Sequence, residues 1–301
     1  MPADLTQPRP HRPFLGMALR LFGVVCVSVM FIAGRAADAR GVHIFETLFY
    51  RQALSMPVVL TWIALTTGLG SIRVRRVGAH ATRMVVGVTG MALNFLSYIL
   101  LPPAEAVTIG FTMPIFATIL SATILKEKTG IHRWGAVLVG FMGVLVTQRP
   151  DAGELFSLGV VVAIAAAFMT ACVSLILRKL GRLEDPGTIV LWYTVLSLPP
   201  LGLGAILYGG AHDAVTWGLL ALIGISGGVA QICLTAALRW APVSVVLPME
   251  YSSILWIALL GLLIGQGWPP AATWFGAALI IASGLYIAWR EHLQSRKPAS
   301  A

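Results

Sequence analysis

The amino-acid sequence predicts an all-α integral membrane protein with ten transmembrane helices. We expect two inverted five-helix repeats, with both termini in the cytoplasm. Composition, a series of long apolar runs and a weak internal repeat predict this fold. Of the 301 residues, 57% are hydrophobic and only 11% are charged, and the mean hydropathy is +0.85. Because soluble domains carry about 25% charged residues, this composition excludes an ordinary soluble protein.

The apolar runs define the predicted spans, since a spanning helix needs about 20 apolar residues. The ten spans are 14–34, 44–66, 84–101, 104–125, 133–148, 155–177, 187–208, 215–238, 243–265 and 272–289. Their apolar residues are continuous and do not alternate with polar ones, so the runs do not predict a transmembrane β-barrel. The loops between them are short and leave no room for a soluble domain.

The net charge of +9 does not indicate nucleic-acid binding, because the basic residues follow the predicted topology. With the N-terminus inside, all but four of the 21 lysines and arginines fall on the cytoplasmic side. The exceptions are Arg35, Arg40 and Arg149 on the other side and Arg51 inside the second span. This asymmetry is typical of the positive-inside rule, so we interpret the basic runs, Arg20 and Arg83 included, as solvated topology signals.

The internal repeat appears when the sequence is shifted by 143 residues, and the offset falls to 139–141 later in each half. The matched pairs include Tyr50 with Tyr193, Pro57 with Pro200, and Gly143 with Gly284. This predicts a first repeat over residues 1–150 and a second over 151–301. Because five spans is an odd number, the second repeat must enter the membrane from the opposite side, an arrangement typical of secondary transporters.

Three segments carry a resemblance to a known family: FETLFYRQALSMPVVL (45–60), MPIFATILSATILKEKTGIHRWGAVLVGFMGVLVTQRP (113–150) and ALRWAPVSVVLPMEYSSILWIALLGLLIGQGWPPAATWFGAALIIASGLYIAWRE (237–291). Together they resemble the drug/metabolite transporter superfamily, and more narrowly its EamA-type ten-helix members. The resemblance implies a secondary transporter of the bacterial inner membrane that exports amino acids or related metabolites by alternating access. The alternative is an uptake carrier for an adenosyl-type or cationic metabolite or drug.

The resemblance also carries over by position. The pair Tyr50-Arg51 matches an aromatic-arginine pair in the family's second helix, and Pro114 and Glu127 match residues of its fourth. The run Pro248-Met249-Glu250-Tyr251 is similar to the pattern of its ninth helix. The chain departs from the family at Gly265-Gln266, where a Gly-Glu pair is usual.

Glu250 and Arg51 are the foremost candidates for a cargo or coupling site, because each lies about 8 residues, hence roughly 12 Å, into its span. Arg51 would offer a two-pronged hydrogen-bond donor to a cargo carboxylate, while Glu250 would receive an ammonium group or a coupling proton. The structural alternative is a salt bridge between these two residues, or with Glu46. We expect Glu46 itself to be a solvated helix end.

Other polar and aromatic residues in the spans are secondary candidates. An aromatic lining for cargo would comprise Tyr98, Trp192, Tyr193, Tyr251 and Trp256, which otherwise serve as packing. Hydrogen-bonding candidates are Asn94, Gln231, Ser252 and Ser253, which otherwise hold helices together. Hinge candidates are Pro57, Pro114, Pro200 and Pro248. Lys126 and Glu127 are assigned to topology or gating.

The sequence does not predict an enzyme. All six histidines fall in predicted loops or tails, and no metal-ligand spacing, Gly-rich phosphate loop or nucleophile triad is present in the sequence. We therefore expect no catalytic residues, cofactor or metal. A membrane enzyme or a channel are the remote alternatives. The expected partners are a small-molecule substrate, the lipid bilayer and protons as a candidate coupling ion, with no nucleic acid; the oligomeric state stays open.

Overall fold

A computed structural model of the protein describes residues 13–66, 68, 76–124, 131–148, 157–180, 184, 186–240 and 247–295. Every element in this part of the chain is helical. The first five helices are α1 (Pro13–Asp38), α2 (Ile44–Thr66), α3 (Val77–Leu100), α4 (Pro103–Gly110) and α5 (Met113–Thr123). They are followed by α6 (Ile131–Gln148), α7 (Leu158–Leu180), α8 (Pro186–Tyr208), α9 (Ala214–Trp240), a 3₁₀ helix (Leu247–Ser252), α10 (Ser253–Leu263) and α11 (Ala271–Ser295).

These helices make ten membrane segments within the described residues. Seven segments are long and apolar enough to cross a bilayer, one of them formed by α4 and α5 together. Three shorter apolar segments are Trp134–Thr147, Met249–Leu263 and Ala271–Ile287. The all-helical prediction is confirmed, and the chain is a multi-pass membrane protein. The predicted positions Lys126 and Glu127 lie outside the described residues.

Three helices extend well beyond their predicted bounds, one of them the last helix, which ends at Ser295 instead of 289. The first helix continues to Asp38 instead of ending near 34, and the third begins at Val77 instead of 84. His80 and Arg83 therefore lie inside α3, where both side chains are buried. The prediction placed them in a loop because charged residues lower the hydropathy of a helix end, although a helix continues through them when its neighbours bury their side chains.

Two of the ten segments are interrupted, each at one of the four prolines that the sequence analysis named as hinge candidates. The fourth breaks between α4 and α5 at Phe111 and Thr112. The cause is Pro114 in the first turn of α5, which lacks an N–H and whose ring excludes the carbonyl of residue 110 from a regular helix. The ninth segment begins as the 3₁₀ helix, which contains Pro248, before it continues as α10.

The packing order of the helices sets the interior. Helix α1 packs along α9, α2 along α8 and α9, α3 along α7, and α6 along α11. At the contact between α6 and α11 a Cβ on Gly143 would lie 2.9 Å from the carbonyl oxygen of Gly276. This contact therefore depends on glycine, because it brings the two backbones together.

Candidate functional site

Glu250 has a partner that the sequence did not indicate. Its carboxylate accepts a hydrogen bond from the guanidinium group of Arg20, on α1, in a salt bridge. The Arg20 side chain is 7% exposed and that of Glu250 is 39% exposed. Arg20 also donates to the backbone carbonyl of Leu234, on α9. The structural alternative, a salt bridge of Arg51 with Glu250 or with Glu46, was therefore wrong, because Glu250 pairs with Arg20 and Glu46 pairs with His212. Arg20 is buried within α1 and is not a solvated topology signal.

Tyr251, next to Glu250, joins the two interrupted segments. Its ring meets that of Phe111 edge to face, with ring centroids 5.1 Å apart and an angle of 79° between the planes. Its hydroxyl lies against Gly284, on α11, where a side chain would collide with it, and Pro114 lies beside the same position. Phe111 is at the break between α4 and α5, so the two breaks face each other inside the bundle.

Arg51 belongs to a second polar cluster. Its guanidinium donates to the side-chain oxygen of Gln52, whose amide donates to the Ser197 hydroxyl 2.6 Å away, on α8. Gln52 and Ser197 are fully buried. Tyr193 lies one turn before Ser197 on the same face of α8, so the network extends toward the Tyr193 ring. This network couples α2 to α8 in the interior.

Arg83 completes this cluster from α3. Its guanidinium carbon lies 4.1 Å from the centroid of the Tyr193 ring, in a cation–π contact. The Tyr193 hydroxyl faces the sulfur of Met91 at 3.8 Å. The cation–π contact joins Tyr193, a predicted lining residue, to Arg83, which sequence reasoning missed because Arg83 was read as part of a basic loop. Continuing the helical periodicity of α3 toward its N-terminus would have indicated it.

The other predicted aromatic residues lie in separate environments. Tyr98 is buried and stacks on Phe31, with centroids 4.4 Å apart and nearly parallel planes. Trp192 lies near His80, at 6.4 Å between ring centroids. The indole N–H groups of Trp192 and Trp256 are buried and have no hydrogen-bond partner among the residues that the structure describes. Of the predicted lining, Tyr98 therefore serves packing in this conformation, while the two tryptophans keep free donors.

The predicted hydrogen-bonding residues are likewise spread out. The Asn94 amide donates to the carbonyl of Gly90 in its own helix and to the Thr170 hydroxyl at 3.3 Å, so it ties α3 to α7. The Ser252 hydroxyl donates to the Met249 carbonyl within the 3₁₀ helix. Ser253 is the first residue of α10. Gln231 lies on α9 between Gly227, which is beside Arg51, and Leu234, whose carbonyl accepts from Arg20.

The predicted hinge prolines divide into two kinds. Pro57 and Pro200 lie inside the continuous helices α2 and α8, and both are exposed. Pro114 and Pro248 lie at the two interruptions, where the helix changes direction or type. Pro114 and Pro248 are therefore better placed than Pro57 and Pro200 for a conformational role, since helix kinks concentrate where backbone hydrogen bonds are missing.

Two further buried pairs contradict sequence expectations. Glu46 is 3% exposed and accepts from His212 at 2.9 Å, so it is not a solvated end. His80 lies 2.6 Å from Glu184, both side chains being 1% exposed, so the histidines do not all lie in loops or tails. Both pairs bring distant residues together, and a single sequence gives no signal for such partners.

The same end of the bundle that holds Glu46 carries an exposed cap. Asp213 accepts from the Thr216 backbone N–H at 2.9 Å, which caps the start of α9, and from Arg40 at 2.8 Å. Hydrogen bonds from Thr216 and then from Arg40 hold the pKa of the Asp213 carboxyl well below its usual range. This cap fastens the end of α1 to the start of α9.

An apolar bundle that buries arginines and glutamates at depth is the architecture of a polytopic membrane transporter. The model of the EamA-like transporter family matches the chain twice, over residues 14–149 and 157–289. The chain belongs to the EamA-like transporter family. The resemblance to the drug/metabolite transporter superfamily is confirmed.

Full-length relatives have more specific names. A riboflavin transporter of Vibrio cholerae is 30% identical over 95% of this chain and 97% of its own length. A riboflavin transporter of Rhizobium johnstonii is 30% identical over 77% of each chain. An S-adenosylmethionine uptake transporter of Rickettsia bellii is 24% identical over 92% of this chain and 94% of its own length. A solved crystal structure, 20% identical, shares the fold with a TM-score of 0.63 over 94% of this chain and 99% of that chain.

Proposed function

We propose that the protein is a secondary carrier that takes up a heteroaromatic metabolite of the flavin or adenosyl kind by alternating access. The observation that carries this proposal is the meeting of the two interrupted segments at Phe111 and Tyr251. Short or interrupted segments at corresponding positions of two halves point to the binding site of a transporter. Phe111 and Tyr251 are separated by 140 residues, the offset of the internal repeat in this part of each half.

Two observations support a duplicated architecture. The family model matches each half once, in agreement with the predicted repeats 1–150 and 151–301. The helix contacts also repeat: α1 packs along α9 as α3 packs along α7, and α2 along α9 as α8 along α3. The two pairings in each comparison are equivalent under the repeat. When each membrane segment is replaced by its counterpart five segments away, the pair α1 and α9 becomes α7 and α3, and the pair α2 and α9 becomes α8 and α3. Five segments per half imply inverted halves and put both termini on the same side of the membrane. That this side is the cytoplasmic face of the bacterial inner membrane stays a prediction.

The choice of cargo is supported by the names of the relatives and by the side chains of the bundle. Riboflavin and S-adenosylmethionine both carry a flat heterocycle, and aromatic rings such as those of Phe111 and Tyr251 provide stacking surfaces for such a group. Free donors in the interior, such as the Trp192 indole, suit ring nitrogens and carbonyls. The export of amino acids implied by the family resemblance has no support in these names and stays a prediction.

Coupling to protons through Glu250 also stays a prediction. The carboxylate is paired with Arg20 in this conformation. In a carrier cycle the pair would open when α1 and the 3₁₀ helix move apart, since each belongs to a different half. The dependence of uptake on a pH gradient tests this role.

The test is uptake by a bacterial strain that lacks riboflavin synthesis and its own riboflavin carrier. We expect the protein to restore growth at limiting riboflavin and to give saturable uptake of radiolabelled riboflavin or S-adenosylmethionine. Phe111→Ala should lower uptake several-fold, while the control Phe275→Ala should not, because Phe111 is 9% exposed at the break and Phe275 is 69% exposed on α11.

Both variants must reach the membrane in amounts equal to the parent protein. The proposal is wrong if the folded protein takes up neither compound above the empty-vector level. Accelerated efflux of labelled amino acids in the same cells would instead favour the export prediction.

A further inference from the structure

Among the arginines that the structure describes inside the bundle, Arg51 and Arg83 have neither a paired carboxylate nor a set of backbone carbonyls to accept from their guanidinium groups. Arg20 is paired with Glu250, and Arg35 donates to the backbone carbonyls of Tyr98, Ile99 and Leu101. Within the described part of the chain, the Nε and Nη1 atoms of Arg83 and the Nε atom of Arg51 are buried without a hydrogen-bond partner. The Nε atom of Arg20 is also unpartnered, but a carboxylate neutralises the charge of that residue. No carboxylate of the described residues therefore neutralises these two positive charges inside the bundle.

The surroundings leave room for these two guanidinium groups. A Cβ on Gly87 would collide with Nη1 of Arg83 and would lie 2.8 Å from the Tyr193 ring. A Cβ on Gly227, on α9, would lie 3.3 Å from Nε of Arg51. Glycine at both positions lets the guanidinium groups extend beside the neighbouring helices. Arg83 is only 9% exposed, so water at the protein surface does not solvate its charge.

The contacts that are present do not neutralise the charges. The Tyr193 ring attracts the Arg83 guanidinium, and Gln52 accepts one hydrogen bond from Arg51, but both groups are uncharged partners. Unpaired charges at membrane depth are rare, and they mark sites where a ligand or an ion passes. The planar guanidinium group offers two parallel N–H donors that match the oxygens of a carboxylate or a phosphate.

We propose that Arg51 and Arg83, backed by Tyr193, form an oxyanion site that binds a carboxylate or phosphate group of the cargo. This inference rests on the proposed function and narrows it: the cargo is a heterocycle that carries an oxyanion. Among the candidate compounds, S-adenosylmethionine has a carboxylate and flavin mononucleotide has a phosphate, whereas riboflavin has neither. The protein should therefore distinguish compounds that differ only in this group.

The test compares matched compounds on the purified full-length protein in lipid nanodiscs. Flavin mononucleotide is set against riboflavin, and S-adenosylmethionine against its decarboxylated form. We expect at least one compound that carries the oxyanion to bind about ten-fold more tightly than its counterpart without the oxyanion, since hydrogen bonds to charged groups are the stronger ones. The flavin pair tests for a phosphate and the adenosyl pair for a carboxylate.

The variants separate the oxyanion site from nonspecific charge. Arg83→Gln should abolish the preference for the compound that carries the oxyanion, and Arg83→Lys should restore only part of it, because lysine keeps the charge and loses the planar donor pair. The control Arg40→Gln should keep the preference, since Arg40 binds Asp213 at the exposed end of α1. In the absence of cargo, Arg83→Met should melt at a higher temperature than the parent protein, because it removes an unpaired buried charge.

The outcomes distinguish this inference from the proposed function. Equal binding within each pair, unchanged by Arg83→Gln, overturns the oxyanion site and leaves the flavin or adenosyl cargo in place. If none of the four compounds binds, the proposed cargo is wrong. The oxyanion site is then tested separately by the melting temperature of the protein in inorganic phosphate or acetate. A rise over chloride of equal ionic strength, present in the parent and lost in Arg83→Gln, supports the site; no rise overturns it.

Discussion

The pairing of Arg20 with Glu250 shows how one side chain sets the state of another inside the bundle. A lone carboxylate at membrane depth costs about 2.5–3.5 kcal/mol on insertion scales. The guanidinium of Arg20, which is itself 7% exposed, provides the opposite charge from a different helix. Each residue is therefore tolerable because the other is present, and removing one leaves an uncompensated charge.

Single neutralisation of this pair should destabilise the protein more than double neutralisation. Removing one partner of a buried ion pair costs about 3–5 kcal/mol, and less where one side chain is partly exposed, as Glu250 is at 39%. We expect Arg20→Met to lower the melting temperature by several degrees, and the double variant Arg20→Met with Glu250→Gln to recover most of the loss. Thermal melting in detergent measures both.

The control for this comparison is Arg40→Met, at an exposed ion pair whose side chains are 43% and 55% exposed. Exposed pairs contribute little to stability, so its melting temperature should stay close to that of the parent protein. A double variant that melts as low as the worse single variant would show that Arg20 and Glu250 do not compensate each other.

At the scale of helices, the contact between α6 and α11 depends on the absence of side chains. Gly143 lies so close to the backbone of Gly276 that no Cβ fits between them, whereas a Cβ on Gly135, on the same helix, would meet nothing within 4 Å. The two glycines are chemically identical, and they differ in what they face. This makes them a matched pair for a test of helix packing.

Gly143→Ala should lower the melting temperature, because the added methyl group forces the backbones of α6 and α11 apart. Gly135→Ala should leave it unchanged or raise it, because alanine is better by up to about 1 kcal/mol than glycine in a helix interior. Both variants are compared with the parent protein in the same detergent. Equal melting temperatures for the two variants would contradict the packing seen at this contact.

The helical elements also show what hydropathy could and could not predict. The long apolar runs located all ten segments, because burial in lipid demands continuous apolar sequence. They did not reveal the interruption at Phe111 and Thr112, since both residues are compatible with a buried helix and only Pro114 marked the break. The start of α3 was missed because Arg83 is charged, although Tyr193 and Gly87 accommodate it.

At the scale of the whole molecule, a single sequence did not allow us to predict which distant residue pairs with each buried charged side chain. Glu250 was identified as unusual from its position in an apolar run, but its partner Arg20 lies 230 residues away in the chain. Glu46 with His212 and His80 with Glu184 are similar cases. A sequence shows that a buried charge needs a partner, whereas only the packing of helices shows which residue supplies it.

The central claim is that two halves carry a heteroaromatic cargo through a site where their interrupted segments meet. Counterflow in proteoliposomes tests it most directly, because only a carrier exchanges internal cargo for external tracer. Purified protein is reconstituted, and the vesicles are loaded with unlabelled riboflavin, flavin mononucleotide or S-adenosylmethionine before the matching tracer is added. We predict tracer entry that is saturable and accelerated by internal cargo for at least one of the three. Entry that rises linearly with concentration, or no entry with folded protein in the vesicles, would contradict the account.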